Sequence, residues 1–151
     1  MHDTHPTDTH APIAAASAFR HPLRVYWEDT DAGGVVFYAN YLKFFERART
    51  EWLRTLGFSQ QRMLQHEGVM FVVTDTALRY LRAARLDDLL EVTVQVQQAG
   101  RASLRIAQQA WRGDALVADG EIRIGCVAAS SSGDGTFRAC RIPDSILEKM
   151  A

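Results

Sequence analysis

The sequence predicts an α+β domain in which a curved antiparallel sheet of about five strands wraps one long helix. Two observations carry this expectation. Residues 41–56 place apolar side chains at the spacing of one helix face, and from residue 69 onward the pattern changes to strands joined by connections too short for parallel pairing. With 151 residues, 47% of them hydrophobic and 23% charged, the chain has the makeup of one ordinary globular domain. A helix with one apolar stripe and a sheet with one apolar face bury both surfaces most economically against each other.

Taken in order, the first 20 residues, MHDTHPTDTHAPIAAASAFR, are small and polar, with two prolines and three of the five histidines. They are expected to form a disordered tail ahead of a single domain over residues 21–151. His2, His5 and His10 match no metal-ligand spacing and read as solvated tail residues. The acidic start does not fit a secretory signal, and no apolar run reaches membrane-spanning length, so a cytoplasmic protein without membrane insertion is expected.

A short strand is expected over residues 23–27. The helix follows: Tyr41, Phe44, Phe45, Ala48, Trp52, Leu53 and Leu56 form its apolar face, while Lys43, Glu46, Arg47, Thr50, Glu51 and Arg54 fill the other. Asn40 is the expected N-cap and Gly57 the expected stop, and Ser59 and Gly68 bracket a second, shorter helix in the same way. Glu46 and Arg49, three apart, are placed to form a structural ion pair.

The clearest strand has Leu90, Val92, Val94 and Val96 alternating with Glu91, Thr93, Gln95 and Gln97. Residues 69–81, 102–111 and 115–127 are further strands, broken at Asp87-Asp88, Ala99-Gly100-Arg101 and Arg112-Gly113-Asp114, so the four are expected to run as a meander. After a polar loop at residues 130–136, Pro143 starts a short terminal helix.

Charge excludes some functions. A formal net charge of -1 and a pI near 6.5 leave no global footprint for nucleic acid or an anionic membrane, so any anionic ligand falls to local arginines. Cys126 and Cys140 form no CxxC pair and have no histidines at metal-ligand spacing, which points to ordinary reduced thiols.

The chemistry concentrates in residues 26–49, YWEDTDAGGVVFYANYLKFFERAR, where three acids (Glu28, Asp29, Asp31) and Gly33-Gly34 lead into the long helix. A carboxylate beside a helix N-terminus suits acyl transfer: free backbone N–H groups stabilise an oxyanion while the carboxylate attacks or activates water. Residue type alone favours Asp31 as a solvated turn acid, and leaves the glycines as readable as a simple turn as they are as a close approach to a ligand.

The run DTDAGGVVFYANYLKFFERAR, the LGF that ends the helix and the later RYLRAARLDDLLEV together resemble the hotdog-fold acyl-CoA thioesterases of the 4-hydroxybenzoyl-CoA thioesterase type, in particular the bacterial Tol-Pal-associated branch. The match spans about residues 21–143. The resemblance implies a hotdog fold, hydrolysis of an acyl-CoA thioester to a carboxylate and coenzyme A, and no metal or redox cofactor. It implies Asp31 as nucleophile or general base, the backbone N–H of Tyr38 as oxyanion donor, and Gly33 and Gly34 as the residues that let the chain approach the acyl group. Many Tol-Pal relatives carry histidine where Tyr38 stands, a change that leaves a backbone role intact.

It further implies Arg101, Ser103 and Arg138 as contacts for the nucleotide end of coenzyme A, with Arg82 and Arg85 as weaker candidates. The aromatic stripe of Tyr41, Phe44, Phe45 and Trp52 reads as core packing, with Tyr41 at its loop-proximal end also placed to line an acyl pocket. The implied partners are an acyl-CoA, with acyl carrier protein as an alternative thioester donor, and copies of the chain itself as a dimer or tetramer with sites between protomers. A hotdog hydratase or dehydratase, or a non-catalytic acyl-thioester-binding protein, are the competing readings; the first would require a histidine–carboxylate pair that the helix motif lacks.

Overall fold

The chain, seen in a computed structural model, is described over residues 18–130 and 132–150. Most of the expected tail, including His2, His5 and His10, lies outside the described residues. The expected boundary at residue 20 is too late. Strand β1 (Phe19–Arg24) begins with Phe19 opposite Val94, Phe19 packs against the core, and Arg20 pairs with Glu91 at 2.8 Å. The strand also ends three residues earlier than the pattern suggested. Trp27–Asp29 instead form one 3-10 turn, closed by the Asp29 N–H on Tyr26 O (3.0 Å) and by the Asp29 carboxylate accepting from Tyr26 N (2.8 Å).

Helix α1 (Asn40–Thr55) buries Tyr41, Phe44, Phe45, Ala48, Trp52 and Leu53, the face its spacing predicts. Its start differs. Ala39 already has helical backbone angles (φ -69°, ψ -20°), and the Asn40 side chain caps nothing because it donates to the carbonyl of Asp29 (2.8 Å). The expected Glu46–Arg49 pair does not close into a direct ion pair: Arg49 reaches inward to Gln108 Oε1 (2.8 Å) and Glu46 accepts from Thr50 Oγ1 (2.9 Å), so that burial, which disfavours the Arg49 charge, outweighs the support Glu46 still gives it. Helix α2 (Gln60–Glu67) is bracketed as expected, by Ser59 Oγ accepting from Arg62 N and by Gly68 in left-handed geometry.

Strands β2 (Val69–Tyr80), β3 (Leu89–Ala99), β4 (Ser103–Arg112), β5 (Ala115–Ala129) and β6 (Phe137–Ala139) complete one antiparallel sheet in the order β1-β3-β4-β5-β2, with β6 against the far end of β5. This corrects the meander. Of the four expected strands only β3, β4 and β5 are consecutive neighbours, while β2 pairs with β5 at the opposite edge from β1. The connection at residues 81–88 is long enough to cross the end of the sheet. It is fastened on the way by Leu81 N to Val117 O (2.9 Å), Arg112 Nη1 to Ala83 O (2.7 Å) and Val36 N to Ala84 O (2.8 Å). The three-residue β6 went unanticipated, since so short an exposed strand has no readable period.

The sheet folds around α1. Phe44 and Phe45 are completely buried, each contributing roughly 2–3 kcal/mol by transfer from water. Close approach depends on Gly120 of β5: a Cβ there would lie 2.5 Å from Phe45 Cε2 and 2.7 Å from Leu78 Cδ2. A buried amide adds a polar tie, Gln108 Nε2 donating to Phe45 O (3.0 Å). Helix α3 (Asp144–Met150) closes the other end of the core with Ile146 and Met150, and Lys149 reaches the C-terminus of α1 at Leu56 O (3.5 Å). Among the described residues no helix is long and apolar enough to cross a membrane.

Candidate active site

The turn ahead of α1 is built by its own sequence. Asp31 O accepts from Gly34 N (3.0 Å), Asp31 N donates to Val35 O (2.9 Å), and the Asp31 carboxylate turns back so that Oδ1 accepts from Gly33 N (2.9 Å) and, more weakly, from Val35 N (3.4 Å). Gly34 adopts φ +78°, which a side chain would strain, whereas Gly33 serves through its N–H. Two flanking bridges, Thr30 to Val36 and Val35 to Arg85, hold the turn against the 81–88 connection. Asp31 stays exposed at its tip, and its loop hydrogen bonds fall on Oδ1 rather than Oδ2.

The other two acids separate from it. Asp29 is buried and structural: besides its contact to Tyr26, its carbonyl accepts from Phe37 N (3.0 Å) and from the Asn40 amide. Glu28 is exposed. Between the turn and the helix, the N–H of Tyr38 donates to no group among the described residues, so it is available to an external acceptor.

Beside this junction lies a cavity of about 290 Å³ lined by Val35, Tyr38, Tyr41, Tyr80, Leu81 and Arg82, among others. Asp31 itself stands on the turn leading to it. Tyr41, nearly inaccessible, lies edge-on to Phe44 (78°, 5.7 Å) and 5.5 Å from the ring of Tyr80; burial foremost, and then the neighbouring Tyr80, pushes its phenol up to about 12. Tyr80 is a residue that sequence reasoning missed. Its hydroxyl donates to Tyr38 O (3.1 Å), fixing the peptide that leads into the helix, and its own pKa is raised by desolvation and by Tyr38. A bulky aromatic ending an edge strand was its only signal. Arg82, one of the weaker phosphate candidates, is turned to Leu116 O (2.8 Å), and the backbone N–H of Arg85 donates to Asp88 Oδ2 (2.8 Å).

The residues expected to hold coenzyme A gather at the other end of the sheet. Ser103 lines a second cavity of about 290 Å³ with Gln98, Gly100, Leu104, Arg105 and Arg123. Arg101 sits in the adjoining hairpin, its carbonyl accepting from Ile142 N (2.7 Å), and Arg138 lies on β6 opposite Ala128. Sequence reasoning passed over Arg105 and Arg123, which face each other across β4 and β5; Arg105 is paired with Glu121 at 3.0 Å. Long-range register brings them together, which no local pattern reveals. Arg112, at the opposite end of β4 from Ser103, bonds the connection that lines the first cavity. In the sheet register Tyr80 lies level with Ala118 and Ala110, seven residues along β4 from Ser103, which sets the two cavities roughly 23 Å apart along the strands of one protomer. The structure therefore does not join Asp31 and Ser103 into one site within a single chain.

Among the described residues no cluster of three or more histidine, cysteine, aspartate or glutamate side chains is arranged to hold a metal ion. An aspartate on a helix-entry turn, under a sheet wrapped around that helix, is the layout of a hotdog-fold thioester hydrolase, and the chain belongs to the thioesterase-like superfamily, whose family model matches residues 25–150. Within that superfamily it is similar to the acyl-CoA thioesterase YbgC of Haemophilus influenzae, with 47% identity over 111 residues covering 74% of this chain and 82% of that one. The acyl-CoA thioester hydrolase YbgC of Escherichia coli O157:H7 is 46% identical over 110 residues, covering 72% and 81%. A probable thioesterase from Bartonella henselae superposes with a TM-score of 0.77 at 30% identity, covering 84% of this chain and all of that one. A mutant 4-hydroxybenzoyl-CoA thioesterase complexed with 4-hydroxybenzoyl-CoA reaches a TM-score of 0.82 over 90% of this chain and all of that one; at 17% identity it attests the fold alone.

Proposed function

We propose that the chain hydrolyses acyl-CoA thioesters at the junction of the Asp31 turn and helix α1. The observation that carries this reading is the pairing of an outward carboxylate, held by Gly33 N–H, with the unpaired N–H of Tyr38 at the helix entrance. In the proposed reaction the thioester carbonyl oxygen accepts from Tyr38 N–H, which favours the tetrahedral state in which that oxygen carries negative charge. The carboxylate of Asp31 either attacks the carbonyl carbon, forming an anhydride that water then cleaves, or takes a proton from the attacking water. Collapse of the tetrahedral state expels the coenzyme A thiolate. The acyl group occupies the cavity beside Tyr41 and Tyr80, Gly34 allows the tight turn beneath it, and no metal or redox cofactor is required.

The nucleotide end of coenzyme A is assigned to Arg101, Ser103 and Arg138, joined by Arg123. Acyl carrier protein thioesters are a second donor class for the same site. The placement of the two cavities at opposite ends of the sheet supports a composite site built from two copies. Edge strand β2 is exposed along most of its length, and an antiparallel copy of it would set the Tyr80 end of one protomer beside the Val69 end of the other, where β6 lies. We assign the enzyme to the cytoplasm, acting as a homodimer or as a homotetramer made of two such dimers.

Asp31→Asn tests the assignment. The amide keeps an oxygen for Gly33 N–H, so the turn persists while the carboxylate is lost. Turnover of acyl-CoA substrates is expected to fall at least about a hundredfold with the melting midpoint nearly unchanged. An equally active variant would overturn the role of Asp31, and a parent that binds acyl-CoA without cleaving it would overturn the enzyme reading.

A further inference from the structure

We propose that Cys126 and Cys140 are a reversible redox pair, oxidised by peroxide to an intramolecular disulfide that staples β6 and the start of the C-terminal segment to β5. Both are free thiols, and their sulfurs lie 3.3 Å apart. A disulfide is about 2.05 Å long, so closure requires roughly 1.2 Å of approach, within reach of small side-chain rotations. The backbone is already set for it. Val127 faces Ala139 in the β5–β6 register, which places Cys126 and Cys140 opposite each other at the next position, and Cys140 N donates to Cys126 O (2.9 Å). Facing residues in an antiparallel pair sit about 4.5–5.5 Å apart at Cα, inside the range a disulfide spans.

The two sulfurs are not equivalent. Cys126 belongs to the core at 1% exposure, and burial, followed by the hydrogen bond and charge of Cys140, pushes its thiol up to about 12. Cys140 is only half-buried, so peroxide meets it first. Its thiolate attacks one peroxide oxygen and breaks the O–O bond; Cys140 becomes a sulfenic acid and the other oxygen leaves as water. The sulfur of Cys126 then attacks that of Cys140. An S–S bond forms, the S–O bond breaks, and the departing hydroxide takes the Cys126 proton as a second water. The two thiols lose two electrons and the peroxide gains them. A dithiol reductant reverses the change by thiol–disulfide exchange.

The bond would close a loop over the turn at residues 130–136 and hold in place the segment whose Ile142 N–H clasps the hairpin at Arg101 O. Closing a loop of this length restricts the unfolded chain and raises thermal stability.

The test reads mass rather than hydrolysis. The full-length protein is titrated with hydrogen peroxide, alkylated with iodoacetamide, and followed by intact and peptide mass spectrometry. Alkylatable thiols are expected to fall from two to zero together, with the loss of two hydrogens, a linked Cys126–Cys140 peptide, a monomeric chain mass, and a melting midpoint higher by about 5 °C or more. Dithiothreitol restores the starting mass. In C126S, Cys140 is expected to stop at a sulfenic acid that dimedone traps; in C140S, Cys126 is expected to resist both peroxide and alkylation in the folded protein. Interchain linkage, unlinked oxygen adducts on the parent protein, or two thiols that persist through the titration would each overturn the proposal.

Discussion

The turn that carries Asp31 is closed by near neighbours in sequence and only backed by the 81–88 connection, whereas the end that carries Ser103 is assembled from segments far apart in the chain. At the first, Asp31 bonds Gly33, Gly34 and Val35, and Asn40 and Phe37 bond Asp29. At the second, the hairpin takes Cys126 N–H on Ala102 O and Ile142 N–H on Arg101 O, and Arg105 meets Arg123 across two strands. The first is a short, self-closed device suited to aiming one carboxylate. The second is a cationic surface that exists only once the whole sheet has registered, and it is suited to gripping a charged handle. Damage to the first should therefore appear in turnover, and damage to the second in affinity.

The largest effect is expected from Gly34→Val. A β-branched residue at φ +78° is strained, and relief of that strain moves the turn that aims Asp31 without touching the carboxylate. Misplacement of a catalytic group by about 1 Å costs on the order of a hundredfold. Steady-state kinetics should show a kcat loss approaching that size, with a melting midpoint lower by only a few degrees. A normal kcat would mean that the turn geometry does not position the carboxylate.

At the opposite end, Arg123→Ala should raise KM for acyl-CoA about tenfold and leave kcat unchanged, the signature of lost uniform binding to an anionic handle. The same variant asks whether the two ends cooperate across protomers. When Asp31→Asn and Arg123→Ala chains are co-expressed in equal amounts, half the dimers are mixed, and in a composite arrangement each mixed dimer retains one intact site. Activity at low substrate should then recover to about a quarter of the parent value, against about a twentieth if each site lies within one chain. The lower figure would mean that the aiming end and the gripping end of each site belong to one protomer.

Much of the first end was legible in the sequence because its contacts are local: the Asp31 turn, the glycines and the apolar face of α1 all sit within a few residues of one another. The same locality misled at Asn40, where a good capping residue is drawn to the Asp29 carbonyl, and at Glu46 and Arg49, where burial of the guanidinium against Gln108 outweighs a surface pair. Tyr80 was missed because its partner Tyr38 lies 42 residues away. The second end was legible only through family resemblance, and then incompletely. Arg123 is unremarkable in the chain and becomes a candidate only when β5 brings it beside Ser103. The crossing of β2 to the far edge likewise depends on a connection whose path is set by tertiary hydrogen bonds rather than by its composition.

The smallest expected effect probes how dry the first end is, and it vanishes at neutral pH. The phenol of Tyr41 is raised from its ordinary 10 to about 12, chiefly by burial, so the folded protein favours the neutral form. Below pH 10 the phenol is neutral in both folded and unfolded chains and its contribution to stability is fully present. Between about 10 and about 12 the unfolded chain ionises while the folded one does not, and stability is lost as pH rises through that window. Tyr41→Phe removes this linkage. Urea unfolding at pH 8 and pH 11 should show the parent losing about 1 kcal/mol more than the variant, since other titrating groups cancel in the comparison. Equal losses would mean that water reaches the Tyr41 hydroxyl. The cavity would then be too wet to exclude solvent from an acyl group, and the aiming of Asp31 would have to suffice without a dry pocket behind it.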